Sequence, residues 1–168
     1  DLIEKLKQAS CAGVKVDMIV RGICCILPGV PGKTENIHIR SIVGRYLEHS
    51  RIYCFGTGSE EKMYISSADF MTRNTQRRVE VACPIYDREA RSKLHQILEA
   101  CLADNTKARI LQSDGQYGPC PQDGEPVDSQ QQLMNAAQKA QQAKPPVEVK
   151  PQKRGLMDTL RQRLLHRS

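Results

Sequence analysis

Ala90, Leu94, Ile97, Leu98, Cys101 and Leu102 recur at helical spacing behind Asp87, whose side chain suits a helix N-cap. Asp104-Asn105 ends the periodicity, so one amphipathic helix fills the stretch between. A helix with a single apolar face needs a second layer to cover it. The other apolar residues fall in short runs of strand composition: "VKVDMIV" (14–20), "NIHIRSIV" (36–43), "RIYCF" (51–55), "KMYIS" (62–66), "RRVEVACPI" (77–85) and "KARIL" (107–111). Ile37, Ile39 and Ser41 alternate with His38, Arg40 and Ile42, which predicts a strand with one polar face. "TGSEE" has turn chemistry, so the strands on either side of it form a hairpin. Leu2, Ile3, Leu6 and Ala9 predict an entering helix that Gly13 stops, and "SDGQYG" reads as a late turn. The expected fold is α/β, a mixed β-sheet of about five to seven strands with flanking helices.

Composition changes near residue 113. "DSQQQLMNAAQKAQQA" is Gln/Ala-rich and weakly helical, "KPPVEVKP" is a Pro-bearing linker, and "GLMDTLRQRLLHRS" is a short basic amphipathic helix. The expected organisation is a main domain over 1–112, its extension over 113–143, and a linker with a partly flexible helical tail over 144–168. A basic tail of this kind suits docking on its own domain, on a partner subunit or on an anionic membrane surface. No run reaches the roughly 18 apolar residues of a membrane span, and no signal-peptide pattern opens the chain. It starts without Met, as a piece of a longer protein would. Cys24, Cys25, Cys54, Cys83 and Cys101 lie in apolar segments, where free Cys acts as a small hydrophobe. That placement argues against a disulfide framework, the lack of a C-x-x-C pair argues against zinc, and a reducing, cytoplasmic compartment is expected.

"PGVPGKTE" (28–35) contains the Gly-Lys-Thr order of a phosphate-binding loop. That loop needs a further Gly where Leu27 stands, and a helix after it to aim backbone N–H groups at phosphates. Here a strand follows. The segment is read as a Pro/Gly turn, and Lys33 as at most a peripheral ligand.

Anion chemistry has a better address. The net charge is +6, and seven basic residues between Arg40 and Arg78 face four acids. Most of them are Arg, whose guanidinium fork suits phosphate oxygens. Arg21-Gly22 follows the first strand, where open α/β sheets place ligand groups. His49 and Arg51 lie two apart at the mouth of another strand, with Ser66, Ser67, Asp69, Arg73 and Asn74 further on. An imidazole among cations and hydroxyls can move a proton or hold an oxygen while the cations neutralise a phosphoryl group. His95 flanks the helix stripe and is read as an ordinary surface histidine.

"HSR" followed by "SSADFMTRN" is similar to half of the phospholipase D-like signature, with Arg51 in place of its Lys and Ser66 and Asp69 in place of its Gly and Asn. "VDMIVRGICCILPGVPG", "IRSIVGRYLEHSRIY", "YISSADFMTRN" and "RRVEVACPI" together resemble the C-terminal catalytic domain of bacterial polyphosphate kinases of the first type. The resemblance implies a phospholipase D-like half and reversible transfer of the terminal phosphate of ATP onto inorganic polyphosphate. It also implies magnesium, a phosphohistidine and a homo-oligomeric parent protein. Arg21 matches a family residue that contacts nucleotide phosphates, and His49 matches the second active-site histidine. Arg51, Arg73 and Asn74 join them as further phosphate contacts. The phosphorylated histidine and most magnesium ligands belong to a preceding domain, so this chain supplies half a site, holds no metal ligands of its own and is inactive alone. His38 lacks the motif context and has no catalytic role. Two rivals differ in class. A phospholipase D-like phosphodiesterase uses two H-x-K motifs, and this chain has one imperfect copy. A non-enzymatic polyanion-binding domain would bind in a salt-dependent way. Specific nucleic-acid binding is disfavoured by 4% aromatics and no Trp.

Overall fold

A computed structural model describes residues 2–122 and 124–143 of the chain. The expected linker and basic tail, 144–168, lie outside the described residues. Among the described residues, those up to 136 fall in one unit and 137–143 in another. The elements in order are α1 (Leu2–Cys11), β1 (Val16–Ile19), β2 (Ile37–Ile42), β3 (Ile52–Phe55), β4 (Lys62–Ser66), α2 (Thr72–Arg77), β5 (Ala82–Pro84), α3 (Arg88–Ala103), β6 (Ala108–Leu111), β7 (Tyr117–Pro119) and α4 (Ser129–Gln142).

The strands divide between two sheets rather than building one. The first has the order β1-β2-β6-β7, with β1 parallel to β2 and the other pairs antiparallel, so it is the expected mixed sheet. The second is antiparallel, β3-β4-β5, and begins with the hairpin foreseen around "TGSEE".

Burial follows the strand period. Ile37 and Ile39 project to one face with Ile26 and Leu111, and Leu6 of α1 packs there. Ile42 projects to the opposite face with Cys101 and Ala108, where Ile97 of α3 packs. Helices therefore pack on both faces of the mixed sheet, although the Ile42 face keeps a polar end at Asp17 and His38. Ile37, Ile39 and Ile42 are each 1% exposed, and each contributes roughly 1.5–3 kcal/mol of burial. The Asp87 carboxylate accepts from Ala90 N at 2.8 Å, the N-cap expected from sequence. Gly13 takes φ +83°, the left-handed turn that ends α1 cheaply.

Three local expectations need correction. "RRVEVACPI" pairs only over Ala82–Pro84, because Val79 and Val81 are 100% and 66% exposed and have no sheet to cover them. Its Arg77 instead closes α2, a helix with no apolar stripe to announce it. The residues after the "SDGQ" turn form β7 with Gly118 and Pro119 inside it, tolerated because β7 is an edge strand. Among the cysteines only Cys101 is buried; Cys25, Cys54 and Cys83 are exposed, contrary to the small-hydrophobe reading. No helix among the described residues is long and apolar enough to cross a membrane.

Candidate functional site

The parallel pairing of β1 with β2 runs from Val16↔Ile37 to Ile19↔Arg40, so both strands end at the same edge. Arg21 follows β1 there, and the segment 43–51 follows β2. The consequence is a contact between residues 27 positions apart: Arg21 Nη1 donates to the Glu48 carbonyl at 2.7 Å, one residue before His49. The segment is held from its other side by Gln130 at the start of α4. Gln130 Oε1 accepts from Tyr46 N at 2.9 Å, and its Nε2 donates to Tyr46 O at 2.8 Å and Glu48 Oε1 at 2.6 Å. His49 is exposed, beside an open hollow of 490 Å³ that Tyr46, Leu47, Gln130 and Met134 help to line.

Arg51 closes on His49 just before β3 begins. Its Nη2 stands 3.2 Å from His49 Nε2, its Nη1 3.5 Å from Nδ1, and Nη1 donates to the His49 carbonyl at 3.2 Å. A neutral imidazole has one lone-pair nitrogen, so only one ring contact is a full hydrogen bond. On its far side Arg51 forks onto Asp69, Nε to Oδ1 at 2.8 Å and Nη2 to Oδ2 at 3.2 Å. The hydrogen bond from Arg51 holds the Asp69 carboxyl below its ordinary range, and the charges of Arg51, Arg21 and His49 add to the effect. The same bond raises the Arg51 guanidinium pKa. Arg21, His49 and Arg51 thus share one electrostatic neighbourhood.

Asn74 and Arg73 are adjacent in sequence and part company in space. Asn74 is buried on α2 and donates from Nδ2 to Glu80 Oε1 at 2.7 Å, while Ser67 Oγ donates to the other Glu80 oxygen. These two bonds, Ser67 first, lower the Glu80 pKa, with Arg51 a smaller contributor. Asn74 therefore reaches the cluster through Glu80. Arg73 is exposed, and among the described residues its side chain forms no hydrogen bond or ion pair. Asp69 enters the sequence reading only as a member of its motif, and neither it nor Glu80 is assigned a role there. Their partners are 18 and 6 positions away, and nothing short of the fold indicates those pairings.

Other flagged groups have different employment. The Thr34 hydroxyl donates to Leu27 O at 2.6 Å and accepts from Val30 N at 3.0 Å, which locks the 28–36 turn rather than binding phosphate. Arg40 donates to the Leu102 carbonyl at the end of α3, a structural cap. His95 is more than a surface histidine: with Arg91 it holds Glu61 (2.9 and 2.5 Å), tying α3 to the β3–β4 hairpin. Those bonds, Arg91 first and His95 second, bring the Glu61 carboxyl down to about 2. Among the described residues no three His, Cys, Asp or Glu side chains converge as a metal cage. The carboxylates of Glu48, Asp69 and Glu80 in this region are each already engaged, by Gln130, Arg51 and Asn74 respectively. This donor set does not fit magnesium.

Residues 1–131 match the family model of the polyphosphate kinase C-terminal domain 2. The polyphosphate kinase of Bacillus anthracis is 53% identical over 137 residues, which is 81% of this chain and 20% of that protein. That of Pseudomonas aeruginosa is 52% identical over 116 residues, 69% of this chain and 17% of the relative. The crystal structure of polyphosphate kinase from Porphyromonas gingivalis superposes with a TM-score of 0.79 at 41% identity, over 85% of this chain and 22% of that one. The likeness carries the phospholipase D-like fold class with it. The chain spans about a fifth of the length of these relatives. With the sequence motifs, the fold and half of all aligned residues in common, the chain belongs to the polyphosphate kinase C-terminal domain 2 family.

Proposed function

We propose that this chain supplies the nucleotide- and polyphosphate-facing half of a site that moves the terminal phosphate of ATP reversibly onto inorganic polyphosphate. The observation that carries the reading is the meeting of Arg21 with the residue before His49, while Arg51 lies against the His49 ring. In the forward direction the bond between the γ-phosphorus and its bridging oxygen breaks and ADP leaves. The phosphoryl group passes to an imidazole in a segment outside this chain, then to the terminal oxygen of polyphosphate. Phosphoryl transfer asks of the protein mainly position and charge neutralisation. Arg21 supplies charge and a fork for nucleotide phosphates, and His49 a phosphate contact or a proton at the departing oxygen. Arg51 and Arg73 extend the cationic wall, and Asn74 supports it through Glu80. Magnesium takes its ligands mainly from outside this chain.

The same reading keeps 1–112 as the catalytic portion, 113–143 as its extension and 144–168 as linker and tail, on the strength of the composition change. It places a homo-oligomeric parent protein in the cytoplasm, in keeping with cysteines that are all free among those described.

The test uses the intact enzyme. Arg21→Ala and His49→Ala each lower polyphosphate synthesis at least about tenfold, the effect of about 1.4 kcal/mol on the barrier. Both side chains are exposed, so thermal stability should barely change. Unaltered synthesis in either variant refutes the reading. Cleavage of a phosphodiester in place of synthesis favours the phospholipase D-like alternative, and salt-dependent polyanion binding without turnover favours the non-enzymatic one.

A further inference from the structure

Arg51 is the most heavily engaged cation near His49. A guanidinium has five N–H groups. Two are taken by the carboxylate of Asp69, at 2.8 and 3.2 Å. The remaining contacts all go to His49: its carbonyl at 3.2 Å, Nε2 at 3.2 Å and Nδ1 at 3.5 Å. Most of its donors are thereby engaged within the protein. Arg51 therefore works on the imidazole, and Asp69 works on Arg51. Two parallel bonds fix the plane of a guanidinium, where a single bond would leave it free to turn.

Asp69 is itself held in place. Tyr53, on the strand that follows Arg51, donates its hydroxyl to Ala68 O at 2.8 Å and stacks on Phe70 with ring centroids 4.5 Å apart. Ala68 N donates to Ser66 Oγ at 3.0 Å, and Met71 N to the Asp69 carbonyl at 2.8 Å. The residues on both sides of Asp69 are thus anchored to β3 and β4. Its side chain is 32% exposed and that of Arg51 17%, so the clamp sits at the surface next to the reacting region with little room for rearrangement.

We propose that Asp69 is a positioning residue for phosphoryl transfer: by forking onto Arg51 it fixes the imidazole of His49 in its working orientation. The proposal rests on the role given to His49 above. Asp69 and Arg51 are 18 positions apart in the chain, and the fold brings their side chains together.

In the intact enzyme, Asp69→Asn keeps the shape and removes the charge and one acceptor. Its kcat should fall about 10- to 100-fold, the cost of a slightly misplaced catalytic group, while the KM for ATP stays within about threefold. On an Arg51→Ala background the same change should cost less than about twofold more, because the residue it acts through is gone. A wild-type kcat in Asp69→Asn overturns the proposal, and so do losses that multiply in the double variant. Should Asp69→Asn fail to fold, Arg51→Lys asks the same question, since it keeps the charge and loses the fork. A loss in Arg51→Lys as large as in Arg51→Ala supports positioning, and full activity overturns it. His49→Ala separates the two levels. If it retains the full rate, the reading of the site fails and this proposal with it. If it is inactive while Asp69→Asn keeps its kcat, the positioning role alone fails.

Discussion

Gly44 matters for what it lacks. A Cβ there would lie 2.5 Å from Gln130 Oε1 and 2.9 Å from its Cδ. The amide of Gln130 is a flexible end, yet it is committed to three bonds on Tyr46 and Glu48 and cannot swing away without breaking them. Gly44→Ala should therefore lower stability by about 1–3 kcal/mol, and Gln130→Ala by a similar amount, because both remove the same bonds. Denaturant midpoints test this, and a midpoint unchanged in both variants would sink the account. Neither residue draws notice in the sequence, since Tyr46 and Gln130 are 84 positions apart. The residues that did draw notice fared unevenly. Arg21, His49 and Arg51 gather at one place, while Asn74 is buried against Glu80 and its neighbour Arg73 is exposed, because adjacent positions on a helix point in different directions.

Among the elements, α3 was the most legible, and its end holds the least legible group. The apolar stripe and the Asp87 cap are local signals, readable within one or two turns. Asp104 was readable only as a terminator. It is fully buried and ties the end of α3 to β6 and α4: Oδ1 accepts from Lys107 N at 2.8 Å and Ala108 N at 3.0 Å, Oδ2 from Ser129 N at 2.8 Å and Ser129 Oγ at 2.7 Å. Burial alone would raise its pKa, but the bonds from Ser129, Lys107 and Ala108 outweigh it and leave the carboxyl below its ordinary value. A depressed folded-state pKa favours the ionised form. Its stabilisation is complete above the unfolded pKa of about 3.9 and is lost as pH falls through the folded value. Asp104→Asn should cost about 2–4 kcal/mol at neutral pH, with the gap from wild type narrowing in acid. Urea titrations across pH check it; equal stability at pH 7 would refute the role. By contrast α2 gave no signal at all, because "TRNTQR" has no apolar residue to set a period.

For the molecule as a whole, both faces of the mixed sheet are covered from within residues 1–136. The isolated chain should fold, with one cooperative thermal transition, and yet neither phosphorylate itself from ATP nor make polyphosphate. His38 faces Asp17 at 3.6 Å and His95 is bound to Glu61, so neither stands ready as the nucleophile. Incorporation of radiolabelled phosphate by the isolated chain would contradict this. The amino-acid sequence by itself determined the strands that alternate, the hairpin, the long helix with its cap, and the family motifs. Each of these is written in neighbouring residues, where side-chain period and capping chemistry act over a few bonds. The tertiary structure alone decided which strands share a sheet, that parallel β1 and β2 deliver Arg21 to the residue before His49, and that Asp69 grips Arg51. Such pairings exist only when distant segments bury one another, and that free energy belongs to no single segment.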